Sequence, residues 1–146
     1  MKIHMKTIGS EYDEQTGLST VTLATDLGLF DGFAQLHPDD KEIASHYAGC
    51  RYAEMRAGIK YMKAKVRVAK YKLEPLYKIY NELKQQKSYD ENNKGIKLLQ
   101  KEIYILEDEI KTFTNHVETL TTRLNEAIKN RPELVERMVN KKQDNE

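Results

Sequence analysis

The sequence predicts an α+β chain that is mostly α. A small N-terminal three-stranded antiparallel sheet packs on a long, coiled-coil-like antiparallel helical hairpin. Three observations predict it. Apolar residues recur at steps of 3 and 4 from Tyr52 through Met55, Ile59, Met62, Val66, Ala69, Leu73, Leu76 and Tyr80 to Leu83. The same steps resume from Ile96 through Leu99, Ile103, Leu106, Ile110, Phe113, Val117, Leu120 and Leu124 to Ala127. Between them lies a short polar stretch, and before them lie residues that alternate as strands do. Steps of 3 and 4 put one apolar seam along each helix, and a short polar loop between two such seams makes neighbours of them.

The first 36 residues read as a meander. Lys2 to Ile8 alternates, Tyr12 to Gly17 is rich in turn formers, and Leu18 to Leu23 alternates again with β-branched residues. Asp26-Leu27-Gly28 is a second turn, and Leu29 to Leu36 a third strand. So small a sheet needs one face covered, and the helices are the only cover available.

His37-Pro38-Asp39-Asp40 is a helix start, with proline at a position where its missing N–H costs nothing and carboxylates at the positive end of the helix dipole. The spacing predicts helix one over 38–87, kinked but not broken at Pro75, because the seam continues through it. Ser88 to Gly95 is the loop, with Asp90 or Asn92 as the cap of helix two, predicted over 93–130. Hairpin residues thus span 37–130. Pro132 to Val139 is expected to add one short helix, and the polar tail to residue 146 to fray. Register follows from the seams: Leu83 meets Ile96, Tyr80 meets Leu99, Leu73 meets Leu106, Val66 meets Phe113 and Ile59 meets Leu120. Lys70 is expected near Glu107, and Lys72 near Glu102 or Glu109.

Composition narrows the function classes. The chain has 146 residues, 39% hydrophobic and 32% charged, which suits long exposed helices more than a thick core. Cys50 is the only cysteine, so no internal disulfide forms and a reducing compartment fits. The N-terminus lacks a signal-peptide apolar run, and no window approaches a membrane span. The expectation is a cytoplasmic protein that does not engage a membrane. No cofactor and no metal site are expected. The four histidines, at 4, 37, 46 and 116, stand in no metal-ligand spacing, and Gly49 and Gly58 sit singly inside a helix rather than in a phosphate loop. Cys50 reads as a small buried thiol with no partner base. No enzymatic activity is expected.

Two features could carry binding. Residues 45–84 hold ten Lys or Arg against three Glu, a net of +7, while residues 1–44 net −5. Arg51, Arg56, Lys60, Lys63, Lys65 and Arg67 form the basic face toward the sheet end. That face is either solvated or paired with the acidic sheet segment, or it contacts phosphate or an acidic protein surface. The second feature is an outer stripe on helix one: Ala57, Tyr61, Ala64, Val68 and Tyr71, again at steps of 4 and 3. The sheet is long enough to cover part of it and to leave the Val68 and Tyr71 end bare. A bare stripe implies a homodimer or a protein partner, with Tyr61, Ala64, Val68 and Tyr71 as the contact.

Leu36 to Asp40, followed by Ala48-Gly49-Cys50-Arg51-Tyr52-Ala53-Glu54-Met55-Arg56, resembles small accessory proteins from phages and prophages of Gram-positive bacteria. Tyr12 to Val21 fits the same resemblance, which covers about the first 65 residues and brings no catalytic motif. It implies a role in the bacterial host cell: host takeover, defence evasion, or support of phage replication and recombination. Three functions follow as expectations. One is a stoichiometric binder of a protein partner such as a nucleic-acid-handling or defence complex. Another is a nucleic-acid-binding accessory protein using the basic face. The last is a homo-oligomeric spacer.

Overall fold

The computed structural model describes residues 3–35 and 46–129. The elements are β1 (Met5–Asp13), β2 (Leu18–Thr25), β3 (Gly28–Gln35), α1 (His46–Lys84) and α2 (Lys94–Lys129). The sheet is antiparallel in the order β1-β2-β3, and the two helices pack together. The fold is therefore the α+β architecture that the sequence predicts. The expected helix start at residue 38 and the expected short helix and tail over 131–146 lie outside the described residues. Helix one ends at Lys84, not at 87, in a tightening turn where the Gln85 and Gln86 amides bond back only three residues. It runs unbroken through Pro75.

β1 is longer than predicted. Tyr12 and Asp13, which read as turn residues, pair with Ser19 and Leu18. A bulge between Thr7 and Gly9 inserts Ile8, and a bulge shifts which side chains face the core; Ile8 is left exposed. The β1–β2 turn closes with the Gly17 amide on the Asp13 carbonyl, Gly17 taking a positive φ of 74°. The Gln15 amide donates to the Asp13 carboxylate at 2.9 Å, which holds that carboxyl below its usual range. At the β2–β3 turn, Gly28 takes φ 113°, so the flanking Asp26 and Leu27 stay at negative φ.

The chain divides into two compact units. Among the described residues, one combines 3–35, 46–61 and 117–129; the other is 62–116. In the first, β2 supplies the buried row Ser19, Val21 and Leu23, joined by Ala34, Ala53 and Ala57. Small residues dominate because the backbones approach closely. A Cβ on Gly32 would stand 1.8 Å from the Ala53 carbonyl oxygen and 2.6 Å from the Ala57 nitrogen. A Cβ on Gly49 would stand 2.2 Å from Ser19 Oγ, an oxygen that is fully buried without a hydrogen-bond partner. Glycine inside α1 thus has a packing reason at residue 49. Gly58 has none of this kind, since nothing lies within 4 Å of its added Cβ.

The second unit is a two-helix hairpin. Gln100 donates to the Tyr80 hydroxyl at 2.9 Å, and the Lys65 ammonium lies 6.0 Å over the Phe113 ring, as the predicted register requires. Every seam residue, in both units, is buried or half-buried. Asn93, rather than Asp90 or Asn92, caps α2: its side-chain oxygen accepts the Gly95 amide at 2.8 Å and the Ile96 amide at 3.4 Å. Asp90 instead caps its own turn by accepting the Asn92 amide. Glu107 accepts its hydrogen bond from Tyr77, at 2.7 Å, not from the expected Lys70, and this pushes the Tyr77 hydroxyl pKa up.

Candidate functional site

The basic residues take up separate tasks. β3 is an edge strand, and edge carbonyls invite pairing with another chain unless something covers them. Arg56 donates to the Phe33 carbonyl and Lys60 to the Asp31 carbonyl, both at 2.7 Å, and Lys60 lies 5.3 Å over the Phe33 ring. These two side chains cover the carbonyls of the sheet edge. Their partners are neutral carbonyls rather than the acidic groups that the charge balance suggested. Lys65 is half-buried beside Phe113. Arg51 lines an apolar groove of about 440 Å³ between β1, β2, α1 and Leu120. Lys63 and Arg67, one turn apart on α1, are exposed.

The outer stripe needs a correction. Tyr61 is fully buried, so it is not part of a partner surface. Its hydroxyl donates to the Asp26 carboxylate at 2.5 Å and accepts the His4 amide at 3.3 Å, and its ring lies against Phe30 at 5.8 Å. Periodicity placed Tyr61 on the outer face; it could not show that the β2–β3 turn and the residue before β1 would meet its hydroxyl. Ala64 is buried and therefore also unavailable, Val68 is half-buried, and Tyr71 is 81% exposed.

What remains open is a face of the 62–116 hairpin. A groove of about 630 Å³ is lined by Tyr71, Pro75 and Leu76 from α1 and by Ile105 and Leu106 from α2, with Lys72 and Glu102 at its sides. Leu98, 64% exposed, and the exposed Ile79 extend the same flank toward the loop. Pro75 also lacks the N–H that the Tyr71 carbonyl would take in a regular helix. The sequence marked only the α1 part of this face. The α2 part was hidden because Leu98 and Ile105 stand seven apart with Glu102 between them, which reads as scattered surface residues.

Chemistry beyond binding finds few groups. Among the described residues no cluster of three His, Cys, Asp or Glu could hold a metal ion. Cys50 is half-buried rather than fully buried, and the Ser10 hydroxyl donates to its Sγ at 3.0 Å. The shifted tyrosines near the loop reflect their mutual bonding. Tyr80, which bonds both Tyr89 and Gln100, is lowered, while the Tyr80 oxygen beside Tyr89 pushes that hydroxyl up to about 12. Among the described residues no helix is long and apolar enough to cross a membrane. No protein-family model matches the sequence, and comparison with curated proteins and with solved structures finds no match.

Proposed function

We propose that the chain is a non-enzymatic accessory protein of the phage type that acts by stoichiometric binding to a protein partner. A nucleic-acid-handling or defence complex of a bacterial host is the class of target that the N-terminal resemblance suggests. The observation that carries the binding part is the open apolar face of the 62–116 hairpin, with Tyr71 and Ile105 exposed at one groove and Leu98 exposed two turns before Ile105 on α2. Solvent-facing apolar residues gathered on one flank, rather than scattered singly, are what a docking surface requires. The test is capture of host proteins on the immobilised chain, beside a Leu98→Glu/Ile105→Glu variant. Both positions are exposed, so the variant should keep its helicity and melting temperature. Loss of every captured protein in the variant supports this face; unchanged capture rules it out.

A second reading rests on Lys63 and Arg67, whose exposure leaves two cations free to meet phosphate. In that reading the chain is a nucleic-acid-binding accessory protein of replication or recombination. With two phosphate contacts, binding to a DNA duplex or single strand should then fall about tenfold between roughly 50 and 200 mM salt, and should be lost with Lys63→Glu/Arg67→Glu. Apolar docking should respond to neither.

A further inference from the structure

We infer that β1 pairs edge to edge with β1 of a second copy of this chain, antiparallel about a two-fold axis, so that the two sheets become one.

The two edges of the sheet differ. At β3, Arg56 and Lys60 cover the Phe33 and Asp31 carbonyls. At β1, among the described residues, no side chain bonds a backbone group of residues 5–11, and no strand lies on the far side. Two bonds fix which backbone groups face that side. The Asp26 amide donates to the His4 carbonyl and the Gly17 amide to the Asp13 carbonyl, so residues 4 and 13 turn their backbone groups toward β2. Strand residues alternate in this respect. Lys6 and Glu11 therefore turn theirs toward β2 as well, while Met5, Thr7 and Ser10 turn theirs to the open edge, which is a template for another strand.

The side chains say which strand. Met5, Thr7 and Ser10 line the groove beside α1, and the Ser10 hydroxyl reaches Cys50 on that helix. Lys6 and Glu11 therefore point from the opposite face of the sheet. Five residues apart, they would lie on different faces of a regular strand; the extra residue Ile8 brings them to the same one. Both are exposed, and among the described residues neither makes an ion pair.

Laid antiparallel on a second β1, the strand keeps helix-side residues opposite helix-side residues along its whole length in one register. Thr7 stands opposite the partner's Ser10, with the two bulges at the axis. These outward-facing residues exchange N–H···O bonds, and Lys6 stands opposite the partner's Glu11, each contact made twice by symmetry. No like charges are brought together, since Asp13 falls opposite the partner's His4. Shifted registers put helix-side residues opposite the other face, or pair only the ends of the strand. A lysine on an edge ordinarily discourages pairing, because a foreign strand leaves its charge unmatched. Against its own copy Lys6 is matched, so the edge charges favour a second copy over other strands.

The test is sedimentation equilibrium of the full chain across roughly 1 µM to 1 mM. The expected result is a monomer–dimer equilibrium. Lys6→Glu alone and Glu11→Lys alone should each weaken it about tenfold, and the two together should restore it. Both positions are exposed, so neither variant should lose helicity or melting temperature. Thr7→Pro should leave a folded monomer at every concentration, because the lost N–H faces the open edge rather than β2. A chain that is monomeric throughout overturns the proposal, even if the edge then takes a strand from another protein. So does a dimer that either single charge reversal leaves unchanged, or one that the double reversal fails to restore. A dimer that persists in folded Thr7→Pro overturns it as well; if that variant does not fold, the charge reversals decide alone.

Discussion

The two units of this chain are held together by opposite kinds of side chain. Where sheet meets α1, the contact residues are Gly32, Ala34, Gly49, Ala53 and Ala57, and backbone approaches backbone. In the 62–116 hairpin the contact residues are large: Leu73, Ile103 and Phe113 are buried along a regular seam. The first kind of core should fail when an atom is added. The second should fail when atoms are removed. The difference teaches where specificity resides. A large-residue seam tolerates similar apolar residues, because volume is what it conserves. A glycine pressed against a carbonyl tolerates nothing.

The largest effect should come from Phe113→Ala, which deletes a ring only 2% exposed and should cost about 3–5 kcal/mol. Thermal unfolding followed by circular dichroism should show it, and a loss below about 1 kcal/mol would mean that the seam collapses readily around the gap. Gly32→Ala should cost about 3 kcal/mol although it adds one methyl group, because the added atom meets backbone that cannot step aside. A neutral Gly32→Ala would break the comparison outright. Tyr61→Phe should cost about 1–3 kcal/mol, since it leaves the Asp26 carboxylate and the His4 amide without their shared partner. Chemical denaturation would measure it. Gly58→Ala should go the other way, gaining about 0.5–1 kcal/mol of helix propensity, because its Cβ enters open space beside the sheet-side groove. It sharpens the contrast: within one unit, addition is penalised only where backbone is already in the way.

The hairpin was legible because an apolar step of 3 and 4 is a direct record of which helix face is covered. All twenty seam positions are buried or half-buried. The turns were legible in part. Gly17 and Gly28 marked them, but Asn93 gave no sign of outranking Asp90 and Asn92 as a cap, since Asp and Asn both suit that position and only where the first helical turn begins decides. The binding residues were the least legible. Arg56 and Lys60 looked like a free cationic face because sequence shows charge but not the carbonyl edge of β3 that absorbs it. Tyr61 looked like surface because the sheet's reach had to be guessed from strand length. Gly32 reads only as part of the third strand; a glycine there can mark a close approach, but the sequence does not show which backbone approaches.

The hydroxyl of Tyr61 also bears on timing. It joins positions 57 and 35 residues away along the chain. Contacts at such separation form only after intervening segments have closed into loops, so they arrive late, whereas local helical contacts form early. An interaction missing at the folding transition state does not speed arrival; it slows departure. In the time domain Tyr61 is a latch. Its loss should leave the refolding rate nearly unchanged and shorten the lifetime of the closed sheet, so that a protease would find the N-terminal strands long before it found the hairpin.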